Sequence, residues 1–211
     1  KDLDAELVKF ESQKIEKLTI QNPDRAKYII ENLQNEKFSV REIESKDRKI
    51  QPSPPFMTST LQQSASNRLG FSPKKTMMIA QSLYEGVQTN EGFMGAITYM
   101  RTDSLNLAKE AVAAAREHIL QNYGKEYLPA KAISYTTSSK GAQEAHEAIR
   151  PTNLNFTPQI AAKFLEKDAL KLYTLIYNRF LACQMSACVS QTQNVYVASE
   201  KGERSEERRV G

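Results

Sequence analysis

The fold of this chain is decided by residues 58–86, which read TSTLQQSASNRLGFSPKKTMMIAQSLYEG. A hydroxyl residue among positions 58–60 can cap a helix that ends just before Gly70, because glycine is favoured after a helix C-terminus. Ser72-Pro73 then supplies the cap and the first turn of a second helix, which Gly86 ends. The sequence therefore predicts two short helices joined by a tight turn. Helix-turn-helix DNA binding and ordinary helical packing both explain this pattern.

Three further helices are predicted after this pair, beyond a hairpin expected over residues 88–99. The longest of them carries a regularly spaced apolar stripe that predicts a buried face. The stripe consists of Leu172, Leu175, Ile176 and Phe180. The predicted helices run from Ser104 or Asn106 to about Asn122, from Thr157 onward, and from Asp168 to Ala187.

Strand signals lie toward both ends of the chain, at residues 6–20, 38–43 and 189–198, and Pro23 opens a helix between the first two. A proline-rich linker at 51–55 follows the first part. We therefore predict an α+β fold that is mainly α. A helical domain at residues 53–183 is inserted between residues 1–52 and a return strand at 184–199 of a β-containing domain. Residues 200–211 contain one apolar side chain and no periodicity, so we expect them to be disordered.

Charge and composition limit the function classes. The net charge is +4, and residues 51–199 hold the whole excess, 14 basic against 10 acidic side chains. Residues 51–84 contain three basic residues and no acidic one, which favours an anionic partner, although three charges are also compatible with a solvated face. No apolar run reaches the roughly 18 residues that a membrane helix needs. Two cysteines and no signal-peptide pattern indicate a reducing, cytoplasmic setting.

The densest set of reactive side chains lies in residues 95–104, GAITYMRTDS, at an expected strand end. A phenol with its ordinary pKa near 10 costs about 4 kcal/mol to ionise at neutral pH. Arg101 would lie on the same side of an extended strand as Tyr99, and a guanidinium stabilises a phosphate and the charge that develops on it. The alternative is a half-buried strand tyrosine beside a surface arginine.

A second cluster, EAHEAIRP at residues 144–151, surrounds His146 with carboxylates. A zincin helix would need histidine where Arg150 stands, so a metalloprotease is excluded. A histidine in this setting suits a phosphate contact or a proton shuttle, and an ordinary helix-face histidine is the alternative. In GFSPKKT, residues 70–76, Lys74 replaces the glycine that a nucleotide-binding P-loop requires, so we expect no ATP.

Five segments in order match the pattern of one family. They are SPPFMTSTLQQ at 53–63, RLGF at 68–71, KTMMIAQ at 75–81, ITYMRTDS at 97–104 and AHEAIRP at 145–151. Over roughly residues 1–199 the chain resembles the type IA DNA topoisomerases of bacteria. ITYMRTDS is similar to the active-site signature of that family, and AHEAIRP is similar to its second signature.

The resemblance implies a function and a set of roles. Tyr99 would attack a phosphodiester of single-stranded DNA, leaving a 5′-phosphotyrosyl link, and the other strand would pass before resealing without ATP. Arg101 would hold the scissile phosphate, and His146 would contact DNA near it. The same signatures suggest DNA contacts for four neighbours, Thr98, Thr102, Asp103 and Arg150. The helical domain corresponds to the tyrosine-bearing, CAP-like domain of the family, and its flanks belong to the arch.

The family binds Mg²⁺ through an acidic triad in another, N-terminal domain, and no Asp-x-Asp pattern occurs in this sequence. The resemblance therefore implies a fragment of a monomeric, nucleoid-associated enzyme that relaxes negatively supercoiled DNA, and the fragment alone is expected to be inactive. A topoisomerase III or a reverse gyrase is a related possibility. A non-catalytic DNA-binding module of the same fold is the alternative function. Residues 200–211 match no part of the pattern, and we interpret them as an artefact.

Overall fold

The structure is a computed structural model that describes residues 5–90, 92–135, 146–199 and 202–210. It confirms a mixture of helices and strands. The chain divides into two compact units, one from the two ends of the chain (up to Ile50 and from Cys188) and one from residues Gln51–Ala187. None of the described helices has the length and apolar character needed to cross a membrane.

The unit built from the chain ends is a five-stranded antiparallel sheet with one helix. Its strands are β1 (Glu6–Phe10), β2 (Gln13–Lys14), β3 (Ser39–Ile50), β6 (Cys188–Ala198) and β7 (Gly202–Val210), in the order β2-β1-β7-β6-β3. Helix α1 (Pro23–Leu33) begins where Asn22 accepts a hydrogen bond from the Asp24 amide at 2.9 Å. A small core of Phe10, Ile29 and Leu33 holds this unit together.

The predicted disorder of residues 200–211 is wrong for Gly202–Val210, which form the strand β7 between β1 and β6. Strand pairing uses main-chain N–H and C=O groups, and it therefore needs no apolar periodicity in the sequence. The scarcity of apolar residues could not exclude a strand here. The strand predicted over residues 189–198 is confirmed as β6, Cys188–Ala198.

The helical unit contains α2 (Thr58–Leu69), α3 (Pro73–Glu85), α4 (Lys109–Asn122), α5 (Pro158–Ala161) and α6 (Lys167–Ala182). A hairpin of β4 (Val87–Thr89) and β5 (Gly92–Met94) follows α3. Helix α6 lies at the centre, because both α2 and α3 pack against it. Its buried face consists of Leu172, Tyr173, Ile176, Tyr177, Phe180 and Leu181.

The two helices predicted within residues 58–86 are confirmed, with one correction at the N-cap of the first helix. Gly70 ends α2 in the left-handed conformation (φ 68°), and Ser72 accepts a hydrogen bond from the Lys75 amide at the start of α3. Met57 occupies the cap position of α2, and the Thr60 hydroxyl accepts a hydrogen bond from its amide at 3.1 Å. Thr58 is the first residue of the helix, and its hydroxyl bonds elsewhere.

Three other sequence predictions need correction. The hairpin strand ends at Met94, so Tyr99 lies in an irregular segment and not at a strand end. Helix α4 begins at Lys109, because the hydroxyl of Ser104 is used in the preceding extended segment. Helix α6 ends at Ala182, five residues before the predicted end. Most of the polar loop predicted over residues 134–143 lies outside the described residues.

Candidate functional site

The segment that carries Tyr99 alternates between exposed and buried side chains although it is not a strand. The buried residues are Met100, Thr102 and Ser104. The exposed residues that alternate with them are Tyr99, Arg101 and Asp103. Because the segment is irregular, the strand argument for a shared side does not apply to it, and the shared side of Tyr99 and Arg101 stays a prediction.

Thr58, at the start of α2, fixes the conformation of this segment. Its hydroxyl donates to the Met100 carbonyl oxygen at 2.7 Å, with the Thr102 carbonyl oxygen 3.0 Å away, and accepts from the Thr102 amide at 2.9 Å. The Thr58 amide in turn donates to the Thr102 carbonyl oxygen at 2.9 Å. One side chain thus satisfies buried main-chain groups on both sides of Arg101.

The second signature runs beside the first. Thr98 donates from its amide to the Arg150 carbonyl oxygen at 2.9 Å and from its hydroxyl to the Ala148 carbonyl oxygen at 2.8 Å. Bridges between Ile97 and Pro151 and between Phe56 and Ile149 continue the pairing. The two signatures, about fifty residues apart in sequence, are therefore held together by main-chain contacts.

Glu147 and Arg150 support this arrangement. The guanidinium binds both carboxylate oxygens of Glu147, Nε at 2.6 Å and Nη2 at 3.0 Å, and the two side chains are only 26% and 16% exposed. One carboxylate oxygen also accepts from the Ala108 amide at the start of α4, at 2.8 Å. This bidentate pair ties the second signature to α4.

A cavity of about 600 Å³ opens beside the exposed face of the tyrosine segment. It contains one guanidinium, one imidazole, one carboxylate and several small polar groups, which suits an anionic, hydrogen-bonding ligand. Its lining residues are Thr58, Ser59, Gln62, Arg101, Thr102, Asp103 and His146. Tyr99 is not in the lining, but it lies two residues before Arg101 and is 41% exposed.

The environment of Tyr99 differs from that of the buried tyrosines. Burial raises the pKa of Tyr135 and Tyr177 to about 12, and that of Tyr173 still further. Each of these three hydroxyls donates to a main-chain carbonyl oxygen. The Tyr99 hydroxyl makes no hydrogen bond within the described parts of the chain, and its ring packs edge-on against Tyr84 at 5.2 Å. Its hydroxyl is thus available to a ligand.

The structure separates the predicted site residues into two sets. The cavity is lined by four of them: Arg101, Thr102, Asp103 and His146. Arg101 has no ion-pair partner among residues 5–90, 92–135 and 146–199. Thr98 and Arg150 are instead engaged in the internal contacts described above. These two residues therefore help to position the site, and their predicted DNA contacts stay a prediction.

Sequence reasoning missed Thr58 and the pairing of Glu147. The partners of Thr58 lie 42 and 44 residues away, so no local signal could identify them. Glu147 and Arg150 are only three residues apart, but they lie in an irregular segment, to which the helical i, i+3 rule does not apply. Among the described residues, no group of three or more His, Cys, Asp or Glu side chains is arranged to hold a metal ion.

A family model described as DNA topoisomerase matches residues 2–210. The chain belongs to the DNA topoisomerase family. The resemblance based on the five segments is therefore confirmed, and the matched range includes residues 200–210, for which the sequence analysis predicts no match.

Relatives and a solved structure agree with this assignment. DNA topoisomerase 1 of Campylobacter jejuni is 75% identical over 201 residues, and that of Helicobacter pylori strain 26695 is 53% identical over 201 residues. The alignments cover 95% of this chain but only 29% and 27% of those proteins. Full-length topoisomerase I from Thermotoga maritima matches 87% of this chain and 29% of its own with a TM-score of 0.73 and 40% identity. The chain thus spans less than a third of the relatives' length.

Proposed function

We propose that this chain is the tyrosine-bearing part of an enzyme that cuts and rejoins one DNA strand, with Tyr99 as the nucleophile. The observation that supports this most strongly is the exposed phenol of Tyr99, which makes no hydrogen bond to the described residues and lies two residues before Arg101, itself in the lining of a polar cavity. In family terms the helical unit is the CAP-like domain, and the sheet unit is part of the arch.

The reaction exchanges one ester for another. The Tyr99 oxygen attacks the phosphorus, an O–P bond forms to the tyrosine, and the bond from phosphorus to the 3′-oxygen breaks. The departing 3′-oxygen takes up a proton, and the phenolic proton is lost. Resealing is the reverse, so the phosphoryl link is conserved and no nucleotide triphosphate is consumed.

Arg101 and His146 serve the phosphate. Arg101 is exposed and has no carboxylate partner in the described ranges, so its guanidinium is available to bind the non-bridging oxygens in a bidentate way. His146 lies on the same cavity and contacts the DNA close to the cleavage point. Arg101 also stabilises the charge that develops in the transition state, which is worth most where water is excluded.

The proposal extends to the activity of the whole protein. That activity is the ATP-independent relaxation of negatively supercoiled DNA by a monomeric, Mg²⁺-dependent type IA enzyme. Mg²⁺ supplies charge stabilisation near the scissile phosphate when bound elsewhere in such an enzyme. Because no acidic cluster that could hold it occurs in the parts of the chain that the structure describes, we expect the 211-residue chain alone not to relax plasmid DNA.

The test joins this sequence to the remaining domains of a close relative and measures cleavage of a single-stranded oligonucleotide. Arg101→Lys should cut at least tenfold more slowly, because an ammonium cannot form the bidentate contact. The matched control Lys109→Arg, at an exposed site on α4, should cut at the normal rate. Normal cleavage by Arg101→Lys would remove the role proposed for Arg101. If the chimera binds DNA without cutting it, the alternative of a non-catalytic binding module is favoured.

A further inference from the structure

A second cavity, away from the tyrosine segment, lies between the C-terminal end of α2 and one face of α6. It has a volume of about 400 Å³, enough for a phosphate group and its neighbours. The α6 residues that line it recur at helical spacing and therefore form one continuous face. Its polar lining residues are Ser53, Arg68, Lys171, Thr174, Asn178 and Arg179.

The charge of this cavity is of one sign. Three cationic side chains line it, and none of the described residues in its lining is Asp or Glu. Asp168, outside the lining, lies 3.8 Å from the Lys171 ammonium and is bound more closely by Lys75 at 2.6 Å. Arg68 and Arg179 form no ion pair with the described residues, and since exposed protein surface usually mixes both signs, this excess of positive charge favours an anionic ligand.

Arg179 is pre-oriented within the cavity. Its guanidinium lies 4.4 Å from the centre of the Phe56 ring, a cation–π contact, and donates to the Pro54 carbonyl oxygen at 3.2 Å. These contacts use one face and one N–H of the group, so other N–H donors remain for a ligand. A held guanidinium loses little side-chain entropy when it binds an oxyanion.

The cations also repel one another in the absence of a ligand. Burial lowers the pKa of Arg179, and the nearby Arg68 lowers it further. An anion placed between the two guanidinium groups would remove that repulsion. A metal ion would increase it, and an uncharged ligand would leave it unchanged.

We propose that the cavity lined by Arg68, Lys171 and Arg179 binds a backbone phosphate of a DNA strand, as a site separate from that of Tyr99. The proposal rests on the proposed function in one respect, that DNA is the partner. Helix α2 links the two sites, because Thr58 and Ser59 line one cavity and Arg68 lines the other. Ten residues of helix separate Thr58 from Arg68, about 15 Å along the axis. A strand of a few nucleotides spans that distance.

The experiment measures binding of a fluorescein-labelled single-stranded oligonucleotide by the 211-residue chain at several salt concentrations. Arg68→Gln/Lys171→Gln should raise the Kd about tenfold and reduce the slope of log K against log salt by about 0.7 for one lost phosphate contact. Both side chains are exposed, so the variant should fold normally, which circular dichroism checks. Arg179 is left intact because it packs against Phe56.

The matched control is Lys125→Gln/Lys131→Gln, which removes the same charge from exposed positions of the same unit. It should change the Kd less than twofold. Asn178→Asp, which adds a carboxylate to the cavity without removing a cation, should weaken binding as well. Equal losses in the two double variants would show only diffuse electrostatic attraction and would overturn the site.

Two further outcomes separate this inference from the function proposed for Tyr99. If the Arg68 and Lys171 changes leave binding unaltered while Arg101→Gln weakens it, the second site is wrong and the first stands. If the unaltered chain fails to bind any oligonucleotide, the second site is overturned directly. Competition by polyglutamate that is as effective as competition by unlabelled DNA would instead assign the cavity to an acidic protein segment.

Discussion

Thr58→Val tests whether one hydroxyl holds the tyrosine segment in place. Valine keeps the branched shape but leaves the buried Thr102 amide and the Met100 carbonyl oxygen without the partners at 2.9 and 2.7 Å. An unsatisfied buried polar group costs about 1–3 kcal/mol. Most of this cost in the free energy of unfolding comes from the unpaired Thr102 amide. The additional buried methyl group of valine offsets part of the cost. We therefore expect the helical unit to lose about 2–3 kcal/mol of its free energy of unfolding.

The assay is urea unfolding followed by circular dichroism of the helices. With a slope of about 2 kcal/mol per molar urea, the loss corresponds to a midpoint lowered by roughly 1 M. Thr58→Ser is the control, because it keeps the hydroxyl and removes only a methyl group, for which we expect less than about 1 kcal/mol. If the valine variant is as stable as the serine variant, Thr58 does not organise the segment through its hydroxyl.

Three other predictions concern separate features of the molecule. Gly70→Ala should lower the free energy of unfolding by about 1–2 kcal/mol, because φ is 68° while a Cβ would meet no atom within 4 Å, and Gly70→Asn should cost less. Burial raises the pKa of Cys183 to about 12, so iodoacetamide at pH 8 should label only the exposed Cys188 in the native chain and both cysteines in urea. Glu147→Gln should destabilise the chain by about 1–2 kcal/mol, and a double-mutant cycle with Arg150→Met should show strong coupling, whereas additivity would contradict the pairing.

The capping and helix-ending residues made the helices of residues 58–86 predictable. Gly70 and Ser72-Pro73 act through the conformations and hydrogen bonds of their own neighbourhood, so a single sequence is enough to place them. The strand β7 was missed for the opposite reason. Its pairing with β1 and β6 depends on main-chain partners that are distant in sequence, and the pattern of its side chains does not indicate a strand.

The features of the candidate site likewise differ in whether the sequence alone could predict them. The motif that contains Tyr99 and Arg101 could be recognised from the sequence, although the strand expected there is absent. The tether from Thr58 and the capture of Arg150 by Glu147 decide which polar groups remain available to a ligand. The Thr58 tether arises when segments distant in sequence meet, which motif spacing cannot supply, whereas Glu147 and Arg150 are only three residues apart.

The central claim is that the Tyr99 oxygen becomes the covalent partner of DNA. Tyr84 provides an internal comparison, because its ring lies 5.2 Å from that of Tyr99 and both are 41% exposed. The measurement is mass spectrometry of the adduct trapped on a single-stranded oligonucleotide by the chimera that contains this chain, with Tyr99→Phe and Tyr84→Phe beside it. We predict a phosphotyrosyl link on the peptide containing Tyr99, its loss in Tyr99→Phe and its persistence in Tyr84→Phe. An adduct that persists in Tyr99→Phe, or that maps to Tyr84, would contradict the claim.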